Sequence, residues 1–191
     1  VRFISNPSTG KQGFAIAEVA AGRGHRVVLV SGPVMLQPPA GVELVSVISA
    51  AEMAEVCKAR FDACDAAILT AAVCDYRPPQ RLAHKLQKKM EPFQIMLEPT
   101  EDIAAALGRA KGGRLLVGFA MNDADARRQA ERKLHEKNCD VMVLNGLENV
   151  GADHGTVHCL LRDGGWQSAV TGSKHAIARH IVELVESMKR E

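Results

Sequence analysis

The 191-residue sequence predicts an α/β domain with a mostly parallel sheet and an antiparallel end. Three observations carry that expectation. Helix-period stretches alternate with short strand-like runs along the chain, and the runs RVVLVS and RLLVGFA are apolar throughout their middles, as strands covered on both faces must be. The third observation concerns the end of the chain, where TVHCLL and WQSAV around Gly164 and Gly165 read as a C-terminal antiparallel hairpin.

In order, GKQGFAIAEVAAGRG (residues 10–24) places Phe14, Ala17 and Ala21 on one helical stripe and stops at Gly22 and Gly24. RVVLVS (26–31) is the first visible strand, ended by Gly32 and Pro33, and VELVSVIS (42–49) the next. Ser49 with Glu52 three residues on is a capping-box signature for a helix to about Arg60. DAAILT (65–70) is a third strand. A long polar stretch, residues 71–91, follows it, and such a loop inside one domain is usually functional. FQIMLE (93–98) reads as a strand, Thr100 as the cap of a short helix to Gly108, and RLLVGFA (114–120) as a buried strand. A helix over 123–137, the strand DVMVL (140–144), the hairpin and an amphipathic helix over 173–189 complete the chain.

Composition narrows the function. With 47% apolar and 24% charged residues the chain is an ordinary globular one, of a length suited to a single core. A net charge of +2 supplies no field for holding a polyanion, so nucleic-acid binding is disfavoured. No apolar run reaches the ~18 residues of a membrane helix. The N-terminal VRFISNPSTG lacks the order of a signal peptide, so the expectation is cytoplasmic. Five scattered cysteines without CxxC pairs suggest reduced thiols and neither disulfides nor a zinc knuckle.

A parallel sheet binds ligands beyond the carboxyl ends of its strands, which directs attention to the loops there. Residues 5–11, SNPSTGK, feed a helix N-terminus that suits phosphate or carboxylate, with an ordinary polar cap as an equally weighted alternative. Ser5 and Gln12 break the Walker A pattern, and Gly10, Gly13, Gly22 and Gly24 do not form GxGxxG after a strand. In TAAVCDYRP (70–78), Ala71 and Ala72 let a flat base or ribose approach the backbone, and Asp75 can take hydroxyls, base amines or a metal. A plain strand-end turn is the alternative. Lys85, Lys88 and Lys89 can close over a polyphosphate or simply be solvated. Lys133 and Lys137 share one helical face at i and i+4. His154 and His158 are spaced HxxxH across a turn and strand, unlike a helical metal pair.

Taken together and in this order, VRFISNPSTGKQGFAIAE, LVSGPV, TAAVCDYRP, the lysine loop, VGFA and KLHEKNCDVMVLN resemble the phosphopantothenoylcysteine synthetase family over nearly the whole chain. The resemblance implies a Rossmann-like three-layer fold and a ligase of coenzyme A biosynthesis. Such an enzyme uses CTP with Mg²⁺ to activate 4′-phosphopantothenate as an acyl-cytidylate, which the amine of cysteine attacks. It implies a homodimer, with a flavin-binding decarboxylase fused upstream in many bacteria. By the same resemblance Asn6 holds the acyl-cytidylate, Arg2 lies near the substrate, and Lys85 is the first lysine of the catalytic flap. Ala71, Ala72, Asp75, Lys85, Glu101, Asp102, Ile103, Ala104, Phe119, Lys133 and Lys137 contact the nucleotide, and no metal ligands are assigned.

The chain departs from the family pattern at Gln87, normally Lys, at Glu101, normally Pro, and at Met121-Asn122. It also lacks the strand and glycine-rich loop that the family places before VRFISN. The other readings are a nucleotide-binding module without turnover and an NAD(P)-dependent reductase. The second rests on architecture alone.

Overall fold

Local signals set the element boundaries in this computed structural model, which describes residues 3–88, 90–121 and 125–189. Helix α1 (Lys11–Gly22) starts behind Gly10, whose φ of 74° suits glycine, and buries Phe14, Ile16 and Ala17. Strands β1 (Val27–Ser31) and β2 (Val42–Ser46) pair in parallel, β2 ending three residues before the predicted end. Helix α2 (Ala50–Phe61) has the expected start: Ser49 Oγ accepts from Glu52 N at 3.2 Å, while Glu52 Oε2 accepts from Ile48 N at 2.8 Å.

Strand β3 (Ala66–Leu69) leads into a loop whose ends, β4 (Tyr76–Arg77) and β5 (Glu98–Pro99), form a two-residue antiparallel ladder. The strand expected over 93–98 is therefore a correction. Among the described residues only Glu98 of that run pairs, and Phe93, Ile95 and Met96 stand exposed. Helix α3 (Ile103–Ala110) is capped by Asp102, which accepts from Ala105 N, and not by Thr100. The Thr100 hydroxyl instead donates to Cys74 O at 2.6 Å, a tertiary bond that wins over the local one.

Next come β6 (Leu115–Met121), α4 (Ala126–Glu136), β7 (Val141–Asn145) and β8 (His154–Leu161). The chain ends with β9 (Gly165–Trp166), β10 (Val170–Ser173) and α5 (Lys174–Lys189). The expected first residue of the fourth helix, Asp123, lies outside the described residues, as do Asn122, Lys89 and Arg2. The predicted hairpin is also corrected in detail. Its return strand is split, with β9 pairing the second half of β8 and β10 the first.

The main sheet runs β10-β8-β7-β6-β3, with β3, β6 and β7 parallel and β8 antiparallel to β7. Alternation along β7 builds both faces. Val141 and Val143 pack towards Ile16, Ile177 and Ile181, while Met142 and Leu144 pack towards Met53, Leu107 and Leu134. Helices therefore cover the sheet on both sides, a Rossmann-like three-layer arrangement. Burial also pushes the Cys139 and Cys159 thiols up to about 11, and all five cysteines are free.

Between β1 and β3 the sheet is split. Among the described residues β1 pairs only with β2 and β3 only with β6, and a cavity of ≈ 1140 Å³ touches residues 27–30 and 66–69 in succession. Successive strand residues point to opposite faces, so a cavity touching all of them abuts the strand edges. Ile16, Ala17 and Val182 close it on one side, and Met53, Phe61 and Leu107 on the other.

Candidate functional site

Residues 70–75, leaving β3, meet two other segments beyond the strand ends. Asn6 Nδ2 donates to Ala72 O at 3.1 Å and to Val73 O at 3.4 Å, and the Cys74 thiol donates to Ile4 O at 3.7 Å. These bonds dock the N-terminal loop on the loop after β3. From the other side Thr100 donates its N–H to Asp75 O at 2.8 Å as well as its hydroxyl to Cys74 O. Gly13 lets α1 approach, since a Cβ there would fall 2.6 Å from Thr70 Oγ1.

The split-sheet cavity extends to this region. Ala71, Asp75 and Phe119 line it from the strand ends, Glu101, Asp102, Ile103 and Ala104 from the start of α3, and Lys133 and Lys137 from the end of α4. Nine residues that the resemblance assigns to the nucleotide thus share one cavity. Three other expected residues stand apart: Ala72 contributes its carbonyl to Asn6, Asn6 itself faces that carbonyl, and Lys85 lies exposed on the loop between β4 and β5. Arg2 lies outside the described residues.

The charges are organised in pairs. Lys137 Nζ lies 3.0 Å from Asp102 Oδ2, and Lys58 Nζ reaches Glu101 at 2.8 Å. Burial pushes the Asp102 carboxyl up, but the Ala105 N–H and Lys137 outweigh it and hold the group below its usual range. Gly108 permits this geometry, because a Cβ there would overlap Lys137 O, and Asn138 Nδ2 donates to Gly108 O at 2.8 Å. Among the described residues Lys133 and Asp75 have no ionic partner. A triphosphate approaching this wall meets one free ammonium and one that it shares with Asp102.

The loop of residues 5–10 presents the first turn of α1, which has no side-chain cap and no acidic residue. Its capacity for an anion lies in those backbone N–H groups. Lys11 is turned away: Nζ donates to Gly151 O at 3.0 Å and to Asp153 Oδ1 at 2.6 Å. A second lysine, the buried Lys174, donates to Asn149 O at 3.0 Å, and its pKa is lowered first by burial and then by Lys11. Asn149, also buried, donates to Asn145 Oδ1 at 2.6 Å and to Thr156 O at 2.7 Å. The loop after β7 is thereby clamped to the starts of α1 and α5. Sequence reading missed this clamp, since its partners lie up to 142 residues apart. The paired asparagines of LNGLEN were its only local sign.

Among the described residues no three His, Cys, Asp or Glu side chains gather as a metal cage. His154 and His158 both fall on β8, as strand residues and not as a helical pair. No helix is long and apolar enough to cross a membrane among the described residues.

Residues 1–188 match the family described as the DNA/pantothenate metabolism flavoprotein C-terminal domain. The Bacillus subtilis coenzyme A biosynthesis bifunctional protein CoaBC is 38% identical over 196 residues, covering 100% of this chain and 48% of that protein. A cysteine/cysteine sulfinic acid decarboxylase from an unknown prokaryotic organism is 46% identical over 157 residues, 81% of this chain and 44% of its own. The chain thus spans about half the length of the curated relatives it matches. Among solved structures, the crystallised C-terminal domain of a CoaBC protein superposes with a TM-score of 0.83 at 37% identity, covering 100% of this chain and 88% of that one. A Cab2 mutant in complex with phosphopantothenate-cysteine shares the fold, with a TM-score of 0.81 at 16% identity, covering 98% of this chain and 80% of that one.

Proposed function

This chain belongs to the DNA/pantothenate metabolism flavoprotein C-terminal domain family, and on that footing we propose that it is a phosphopantothenate–cysteine ligase of coenzyme A biosynthesis, using CTP. The observation that carries the reading is the single cavity uniting Ala71, Asp75, residues 101–104, Phe119, Lys133 and Lys137, residue types suited to a base, a ribose and phosphates. A carboxylate becomes an acylating agent only with a good leaving group. In the proposed reaction a carboxylate oxygen of phosphopantothenate attacks the α-phosphorus of CTP and pyrophosphate departs. The neutral amine of cysteine then bonds to the acyl carbon, CMP leaves with the electron pair of the C–O bond, and the amine proton passes to solvent.

In that scheme Lys133 and Lys137 offset charge on the phosphates. Asn6 has both amide hydrogens directed at carbonyls, which leaves its Oδ1 as the acceptor it offers a substrate N–H. Magnesium would arrive on the triphosphate and offset part of its charge beside Lys133 and Lys137. Lys85 would reach the site by movement of the loop that carries it. A homodimer would cover the apolar side chains that this loop exposes, Leu82, Phe93, Ile95 and Met96. Fusion to a flavin-binding decarboxylase fits the word bifunctional and the double length of the relatives.

The split between β1 and β3 has room for the strand that the resemblance expects before VRFISN. A parallel strand there would join β2-β1 to β3-β6 and enter α1 by a right-handed crossover. The test is pyrophosphate release with CTP, ATP or neither, with and without phosphopantothenate, on this chain and on one extended at its N-terminus. Release that requires CTP and phosphopantothenate together supports the ligase. Binding of CTP without turnover by either chain leaves the nucleotide module, and turnover by the extended chain alone supports a further strand seated in the split.

A further inference from the structure

Apart from that crevice, three ionisable side chains, Arg127, Glu148 and His158, line a second cavity of ≈ 220 Å³. Leu144 of β7 and Thr156 and His158 of β8 line it, with Ala126 and Arg127 from α4 and Gly146 and Glu148 from the turn after β7. The Arg127 guanidinium lies over the Trp166 ring, 5.0 Å from its centroid, and the indole is fixed in turn by donating to Glu131 at 2.8 Å. The Glu148 carboxylate folds back on Gly146, where a Cβ would fall 2.0 Å from Oε1. Among the described residues Arg127 has no carboxylate partner, and Glu148 and His158 have no hydrogen-bond or ionic partner. Elsewhere in the molecule Lys11, Lys58, Lys111 and Lys137 are all matched.

The cavity is smaller than the several hundred Å³ of ordinary cofactor sites, so its occupant is a molecule of few heavy atoms. A simple anion would meet Glu148 and a simple cation would meet Arg127. A molecule bearing both charges a few bonds apart satisfies both, with the imidazole of His158 as an added donor to its carboxylate. The geometry points to a site for a small free α-amino acid, its carboxylate on Arg127 and His158 and its ammonium on Glu148. Under the ligase reading, on which this assignment of the ligand rests, the amino acid is the cysteine that supplies the amine. The cavity lies by the last residues of β7, where Asn145, immediately before Gly146, is held by Asn149.

The test compares L-cysteine with cysteamine, which has the same amine and thiol but no carboxylate, in the complete reaction. The site predicts a KM for cysteamine at least tenfold above that for cysteine. It predicts loss of that preference in Arg127→Gln and in His158→Gln, and a tenfold rise of both amine KM values in Glu148→Gln, with the KM for CTP unmoved throughout. Unchanged amine KM values in all three variants overturn the site while leaving the ligase intact. If neither this chain nor the one extended at its N-terminus releases pyrophosphate, the ligase reading fails, and the site is judged by NMR titration with L-cysteine. Shifts of the His158 ring and Trp166 indole that vanish in Glu148→Gln support it, and their absence in the parent overturns it.

Discussion

Replacing Asn6 by Asp separates docking of the N-terminal loop from folding. In the parent, Nδ2 supplies two hydrogens to Ala72 O and Val73 O, at 3.1 and 3.4 Å. A carboxylate has no hydrogen to give and turns two attractions into contacts between oxygens. At about 1 kcal/mol net for each bond the loss is about 2 kcal/mol, or a factor of about 30 in the population of the docked loop. Because the bonds are exposed, water relieves the repulsion, and because residues 3–8 bury no core side chain, global unfolding is little affected. The expected outcome is a roughly 30-fold fall in kcat/KM for pyrophosphate release, with a thermal midpoint within ~2 °C of the parent. The sign with pH follows from the same geometry. Facing carbonyl oxygens, the new carboxyl has its pKa raised above the ordinary ~3.9, and its protonated form regains a donor. The ratio of variant to parent activity is therefore expected to rise as the pH falls towards 5. An unchanged kcat/KM in Asn6→Asp, measured with saturating CTP and varied phosphopantothenate, would refute the reasoning.

Three further perturbations probe other parts of the molecule. Lys137→Gln is expected to raise the KM for CTP about tenfold, the worth of one charge-assisted phosphate contact, whereas Asp102→Asn keeps a capping side chain on α3, frees Lys137 and should not raise it. Asp140→Ala leaves the Lys111 ammonium and the Leu116 N–H without their acceptor in a largely buried setting, an expected loss of about 3 kcal/mol read as a lower urea midpoint at unchanged slope. Glu186 is held at about 2, first by its hydrogen bond to Arg23 and then by that to His25. A depressed carboxylate stabilises above its unfolded value and loses that effect as the pH falls through the folded one. The parent should therefore lose stability between about pH 4.5 and pH 2, and Glu186→Gln should flatten that part of the profile.

Elements specified by neighbours in sequence were legible, and those decided by distant partners were not. Ser49 and Glu52 announce the start of α2 because the capping box is complete within four residues. Thr100 and Asp102 are both good caps, and the choice between them is made by Cys74 O, a group 26 residues away that no local pattern reveals. FQIMLE has the composition of a strand, but composition does not supply a neighbour, and only Glu98 finds one. At the site, the i, i+4 spacing of Lys133 and Lys137 put both on one face, as the shared cavity shows. Nothing in that spacing indicated that Lys137 would be engaged by Asp102, or that Lys11 would be drawn from the anion loop by Asp153.

The segment 100–104 explains why function and assembly are coupled here. Thr100 is bonded to Cys74 and Asp75 beyond β3, Glu101 to Lys58 of α2, and Asp102 both to the first turn of α3 and to Lys137 beyond α4. Three residues thus gather four elements, and they do so with polar contacts at a solvent-facing edge, where each is worth only about 1 kcal/mol. Such a junction tolerates the loss of any one bond without unfolding, because the cores on the two faces of the sheet do not depend on it. Its geometry still depends on all of them together. Substitutions of Thr100 or Glu101 should consequently register first as weaker nucleotide handling and only later as lost stability, the reverse of the order expected for Leu107 or Met142, whose side chains are buried within the core.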